Sequence, residues 1–145
     1  MIVLKPVSKE RIWGTPRLHQ YSGDSHIDRI GSVYSVSGIE ALSNEILAGD
    51  EHRTLYEAVK AAPEKFGITA GFDYPIIISF TSADENLSIQ VHPTDEYAIT
   101  HENALYGKSE SWYFIEPPSE GWIYADSLIE DKKEIKRSIL NGDYE

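Results

Sequence analysis

Residues 87–92, LSIQVH, alternate without a break: Leu87, Ile89 and Val91 are apolar, and Ser88, Gln90 and His92 are polar. A period of two marks a strand with one apolar and one polar face, a pattern that a helix cannot bury on one side. The apolar, β-branched run YPIIISF precedes it, and the polar turn TSADEN joins the two, so residues 75–92 read as a β-hairpin. The polar face is the unusual one. Solvent is ordinarily met by Lys, Glu or Thr, whereas here a hydroxyl, an amide and an imidazole follow one another about 6.5–7 Å apart.

The rest of the chain supplies more strands and a few short helices. DRIGSVYSVS reads as an early strand. RTLYEAVKAAPEKFG begins with Thr54 and Glu57 at capping-box spacing, places Leu55, Ala58, Val59 and Ala62 on one helical face, and stops at Pro63 and Gly67. Thr94 is placed to cap a helix through DEYAITHEN. KSESWYFIE is a second alternating strand, ended by Pro117 and Pro118. Ser127 and Glu130 again stand at capping-box spacing, before a last helix striped by Ile135 and Ile139 and closed by NGD. Hairpin signals favour antiparallel pairing over a doubly wound sheet. The expectation is a mainly β chain with a few helices, an α+β fold, forming one domain over residues 1–145.

Composition narrows the function classes. The chain has 145 residues and no cysteine, which removes disulfides, thiolate zinc sites and cysteine nucleophiles. A formal net charge of -11 argues against nucleic acid as a partner. It also makes recognition of an anionic substrate depend on a local cation rather than on the field of the whole protein. No apolar run reaches membrane-spanning length, and too few apolar residues precede Lys5 for a signal-peptide core, so a cytoplasmic location is expected.

If the two alternating strands converge by their polar faces, Ser88, Gln90, His92, Lys108 and Glu110 gather in one cavity. An imidazole, a carboxylate and a carbonyl oxygen form an N/O donor set suited to a catalytic Zn²⁺ or a similar divalent ion. Spacing leaves a plainer reading open. His92 would then simply end a strand before Pro93, and Glu110 would pair with Lys108 on a wet surface. His19, His26, His52 and His101 lie elsewhere and read as solvent-facing or as ordinary polar contacts.

LSIQVHPTDEYA followed by GKSESWYFI resembles the signature of the type I phosphomannose isomerases, the zinc-dependent mannose-6-phosphate isomerases of the cupin superfamily. RIWGTPRL resembles that family's start, IGSVYSVS its early strand, YPIIISFTSADENLSIQVHP its core hairpin, and EDKKEIKRSILNGDYE the helix after its metal-binding strands. The resemblance implies an incomplete cupin-like jelly roll with inserted short helices, matching the family's N-terminal part. It implies Gln90, His92 and Glu110 as ligands of one zinc ion, with Lys108 and Ser88 as catalytic-site residues near a sugar-phosphate substrate. It implies interconversion of mannose 6-phosphate and fructose 6-phosphate, the alternative being a non-catalytic half-cupin that binds metal or sugar phosphate. Ser32 and Tyr34 stand where the family usually carries an acidic residue and a Trp. Members of the family also continue further, and the continuation supplies another metal-binding His, a catalytic Arg and the remaining strands.

A jelly roll without all its strands exposes apolar sheet edges, which invite pairing with another chain. Homo-oligomers are therefore expected at micromolar concentration in light scattering, and a strictly monomeric mass would count against them.

Overall fold

Antiparallel pairing organises the chain, as the hairpin signals predict. The computed structural model describes residues 1–125 and 128–143. They fall into two compact units, Met1–Lys108 and Ser109–Glu145.

In the first unit, β2 (Val7–Thr15), β3 (Ile30–Val36) and β5 (Ile78–Thr81) form a three-stranded antiparallel sheet with β3 in the centre. A two-stranded antiparallel sheet pairs β1 (Val3–Lys5) with β4 (Glu45–Ala48). The core lies where Leu18, Ile30 and Val33 pack together, flanked by Tyr21, Ile27 and Phe80. The rings of Tyr21 and Phe80 stack at 4.7 Å between centroids. Leu18 reaches this core from a 3-10 turn, Pro16–Tyr21, which Thr15 caps by accepting from the Arg17 N–H. β2 bulges strongly, since Glu10 and Thr15 both stand opposite Ile30. Gly14 sits inside that bulge, where an added Cβ would lie 2.2 Å from the Arg29 carbonyl oxygen, so only glycine fits.

Two helices of this unit follow their sequence signals. α1 (Leu55–Ala61) carries the expected capping box between Thr54 and Glu57 and buries Leu55, Ala58 and Val59. α2 (Asp95–His101) begins after Thr94, whose hydroxyl accepts the Tyr97 N–H. In the second unit, α3 (Lys132–Asn141) starts later than the capping-box spacing suggests. Asp131 caps it by accepting from Lys133 and Glu134, and Gly142 closes it at φ 71°. Ser127, the expected cap, lies outside the described residues.

The expected hairpin over 75–92 does not form. β5 spends its hydrogen bonds on β3, from Ser32 opposite Thr81 to Val36 opposite Ile78. The acidic turn that follows is then tied across the sheet instead of folding the chain back. Arg17 Nη2 meets Asp84 Oδ1 at 2.5 Å, Arg29 Nη2 meets Glu85 Oε1 at 2.9 Å, and the Asp84 N–H donates to the Trp13 carbonyl. The hydrogen bond from Arg17, helped by Thr15, holds the Asp84 carboxyl below its ordinary range. Whatever this tie contributes is thus present above the usual carboxylate pKa and lost as pH falls through the folded one. Residues 87–92 and 110–116 run without ladder partners. Leu87, Ile89 and Val91 are 38%, 61% and 90% exposed, so the expected buried face is uncovered.

Asn44 is fully buried and uses every polar atom it has. Its Oδ1 accepts from the Ser37 N–H at 2.5 Å, and its Nδ2 donates to the carbonyls of Lys5 and Tyr34, both at 2.9 Å. Its backbone N–H donates to Ser37, and its carbonyl accepts from Leu55 at the start of α1. Asn44→Ala strands one buried and two part-buried backbone groups and is expected to cost roughly 1–3 kcal/mol. Urea denaturation should show a lower midpoint at unchanged slope; an unmoved midpoint would contradict the role assigned to this side chain.

Candidate functional site

The five expected site residues lie in two extended stretches and at one turn. Ser88 and Gln90 meet directly, with Gln90 Nε2 donating to Ser88 Oγ at 3.0 Å. That contact places both side chains on the same side of the segment, as the alternation predicts. The amide nitrogen is a donor only, so the Gln90 carbonyl oxygen is the atom with lone pairs to offer a cation. His92 is half-buried and is followed at once by Pro93, Thr94 and the first turn of α2.

Lys108 comes back to this point through a short return loop. Its backbone N–H donates to the Pro93 carbonyl at 3.1 Å, and the Gly107 N–H donates to Asp95 Oδ1 at 2.8 Å. The chain is therefore fastened twice within three residues of His92. Gly107 permits the approach: a Cβ there would lie 2.2 Å from the Pro93 oxygen and 2.6 Å from the Thr94 carbonyl carbon. The return loop begins at Asn103, at φ 52°, and the Ala104 N–H donates back to the Ala98 carbonyl. Tyr106 ties the loop to the body of the unit. Burial raises its phenol pKa first, and the nearby Asp73 carboxylate, also its hydrogen-bond partner, raises it further. Asp73 in turn pairs with Lys60 of α1 at 2.9 Å, a contact that raises the lysine pKa.

Glu110 belongs to the second unit, where it accepts a hydrogen bond from the indole N–H of Trp112. The structure thus joins Ser88 to Gln90 and the Lys108 backbone to Pro93 within one unit, and it carries Glu110 in the other. Among the described residues no group of three or more His, Asp or Glu side chains is gathered for a metal. The expected set holds only two such residues, His92 and Glu110, the third donor being an amide. The donor chemistry of Gln90, His92 and Glu110 fits zinc, being one imidazole nitrogen with two oxygen donors. Three of the remaining histidines have other partners: His19 Nε2 contacts the Ile27 carbonyl at 3.0 Å, His52 Nδ1 contacts Asp50 at 2.5 Å, and His101 packs on Tyr97. Asp95, Tyr106 and Gly107 escape the strand pattern. The signal for them is a glycine between Tyr106 and Lys108, together with an aspartate three residues after His92.

No family model matches the chain. Among curated proteins it is 35% identical over 148 residues to a probable mannose-6-phosphate isomerase, GmuF, of Bacillus subtilis, a match covering 99% of this chain and 46% of that protein. It is 32% identical, with the same coverage, to the mannose-6-phosphate isomerase ManA of that organism. The crystal structure of a mannose 6-phosphate isomerase from Bacillus subtilis superimposes with a TM-score of 0.81 at 28% identity, again over 99% of this chain and 46% of the other. The chain is similar to just under half of a mannose-6-phosphate isomerase. That likeness is consistent with a match to the N-terminal part of such proteins, and with a cupin-like α+β architecture of antiparallel sheets and few helices.

Within this mannose-6-phosphate isomerase-like frame, Gly107 is the residue on which the return of Lys108 turns. Gly107→Ala is expected to shift the amide resonances of residues 94–95 and 106–108 while leaving those of β2, β3 and β5 in place. A spectrum unchanged around the loop would mean that the close approach is not formed in solution.

Proposed function

We propose that this chain carries the metal-binding face and part of the substrate face of a zinc-dependent aldose–ketose isomerase that interconverts mannose 6-phosphate and fructose 6-phosphate in the cytoplasm. The observation that carries the proposal is the match of 99% of the chain to mannose-6-phosphate isomerases in both sequence and fold. The chain spans 46% of those relatives, so the whole activity is part of the proposal.

In this reading Gln90, His92 and Glu110 hold the ion. When bound, zinc supplies a Lewis acid that polarises sugar oxygens and stabilises the oxyanion developing as a proton moves between adjacent carbons. The residues of the chain bind and orient the sugar. Lys108 supplies the local cation that an anionic substrate needs in a protein of net charge -11. Ser88 hydrogen-bonds an oxygen of the substrate while steadying the Gln90 amide, a contact already made at 3.0 Å.

A second reading is a non-catalytic module that binds metal or sugar phosphate. The uncovered segments 87–92 and 110–116, which bear the proposed ligands without ladder partners, favour it. A coupled assay for fructose 6-phosphate formed from mannose 6-phosphate, with zinc supplied, separates the two. Turnover that falls at least about a hundredfold in a Glu110→Ala control would establish the isomerase. Absence of turnover from folded, zinc-loaded protein would leave the binding module. Among the described residues no helix is long and apolar enough to cross a membrane.

A further inference from the structure

The return loop ends in a contact that neither the sequence pattern nor the proposed reaction uses. Asp95 is the first residue of α2, and helix capping there is already met by Thr94, whose hydroxyl accepts the Tyr97 N–H at 3.3 Å. The Asp95 carboxylate turns elsewhere, accepting the Gly107 N–H at 2.8 Å across a sequence gap of 12 residues. Next to it the Lys108 N–H reaches the Pro93 carbonyl. The contact is tight by construction, since a Cβ on Gly107 would meet Pro93 O, Thr94 C and Asp95 N at 2.2, 2.6 and 2.8 Å.

We infer that Asp95 is a positioning residue: by accepting the Gly107 N–H, its carboxylate fixes the loop so that the Lys108 backbone sits against Pro93, one residue from His92. The inference rests on the reading of His92 and Lys108 as site residues, and names what holds them to each other. A hydrogen bond from a backbone N–H to a side-chain oxygen is directional, so it sets the register of a turn that the exposed loop would otherwise sample. The opposite end of the loop is held by the Ala104 N–H on the Ala98 carbonyl, which leaves Gly107 and Lys108 as the part Asp95 controls. A side-chain oxygen is what the role requires; a negative charge is not.

The test is amide hydrogen exchange, residue by residue, on the unsubstituted chain, Asp95→Ala and Asp95→Asn. Asp95→Ala should speed exchange at Gly107 and Lys108 by about tenfold or more while Ala98 and Glu102, bonded within α2, stay within about twofold. Asp95→Asn keeps an oxygen acceptor and should restore most of the protection. Uniform loss through α2, equal loss in Asp95→Asn, or no loss in Asp95→Ala would each overturn the inference. Zinc added to the unsubstituted chain, followed at the His92 imidazole resonances, decides the metal reading separately. An imidazole that ignores zinc sinks that reading, while the exchange rates still decide for or against Asp95.

Discussion

Asn44 is the hinge on which the first unit is assembled. A single buried amide holds the end of β1 through Lys5, the end of β3 through Tyr34 and Ser37, and, through its own backbone, the entry to α1. Lys5 ends β1 and Ser37 follows β3, where ladder pairing runs out, and the Tyr34 carbonyl lies two residues before the end of β3. An apolar side chain of similar size would fill the space and leave the groups stranded. The two sheets are thereby joined by hydrogen bonds at their ends, while the apolar core of Leu18, Ile30 and Val33 stays small and one-sided.

From that frame the path to the site is short. β3 runs from the core toward Asn44, and β5 pairs on it from Thr81 back to Ile78, with a register shift between Tyr34 and Val36. The Arg17–Asp84 and Arg29–Glu85 pairs then steer the chain over the sheet at residues 84–85, just before the segment of Ser88, Gln90 and His92. Exposed ion pairs contribute little to stability. Their effect here is directional: they compete with the tight reversal that a hairpin over 75–92 requires.

Local signals in the sequence proved readable and long-range ones did not, the exception being the Ser127–Glu130 spacing, since α3 starts at Lys132 under an Asp131 cap. The Thr54–Glu57 capping box, the Thr94 cap and the stop at NGD each depend on residues a few positions apart, and each is found where the spacing puts it. Strand character at LSIQVH and KSESWYFIE is a statement about neighbours that must donate and accept along the whole segment. The alternation correctly groups Ser88 with Gln90, yet no ladder partner lies alongside either stretch among the described residues. Periodicity also names side chains and is blind to backbone approach, which is why Gly107 and Asp95 stayed hidden while Lys108 did not.

This contrast divides the candidate site by the kind of force that builds it. The neighbourhood of His92 and Lys108 is set within about fifteen residues by a proline carbonyl, a helix start, a glycine and one carboxylate. Such contacts form wherever the segment is free to close on itself, with modest loop-closure entropy to overcome. Ile89 and Val91 obey the opposite logic: at 61% and 90% exposure they gain only when another surface removes them from water. Each such burial is worth about 1.5–3 kcal/mol, enough to couple covering this face to ordering the segment that carries the proposed ligands. The face that carries Gln90 and His92, the proposed ligands, is then as rigid as whatever lies against Ile89 and Val91. Metal affinity should therefore track apolar cover on the reverse of the strand as closely as it tracks the ligands themselves.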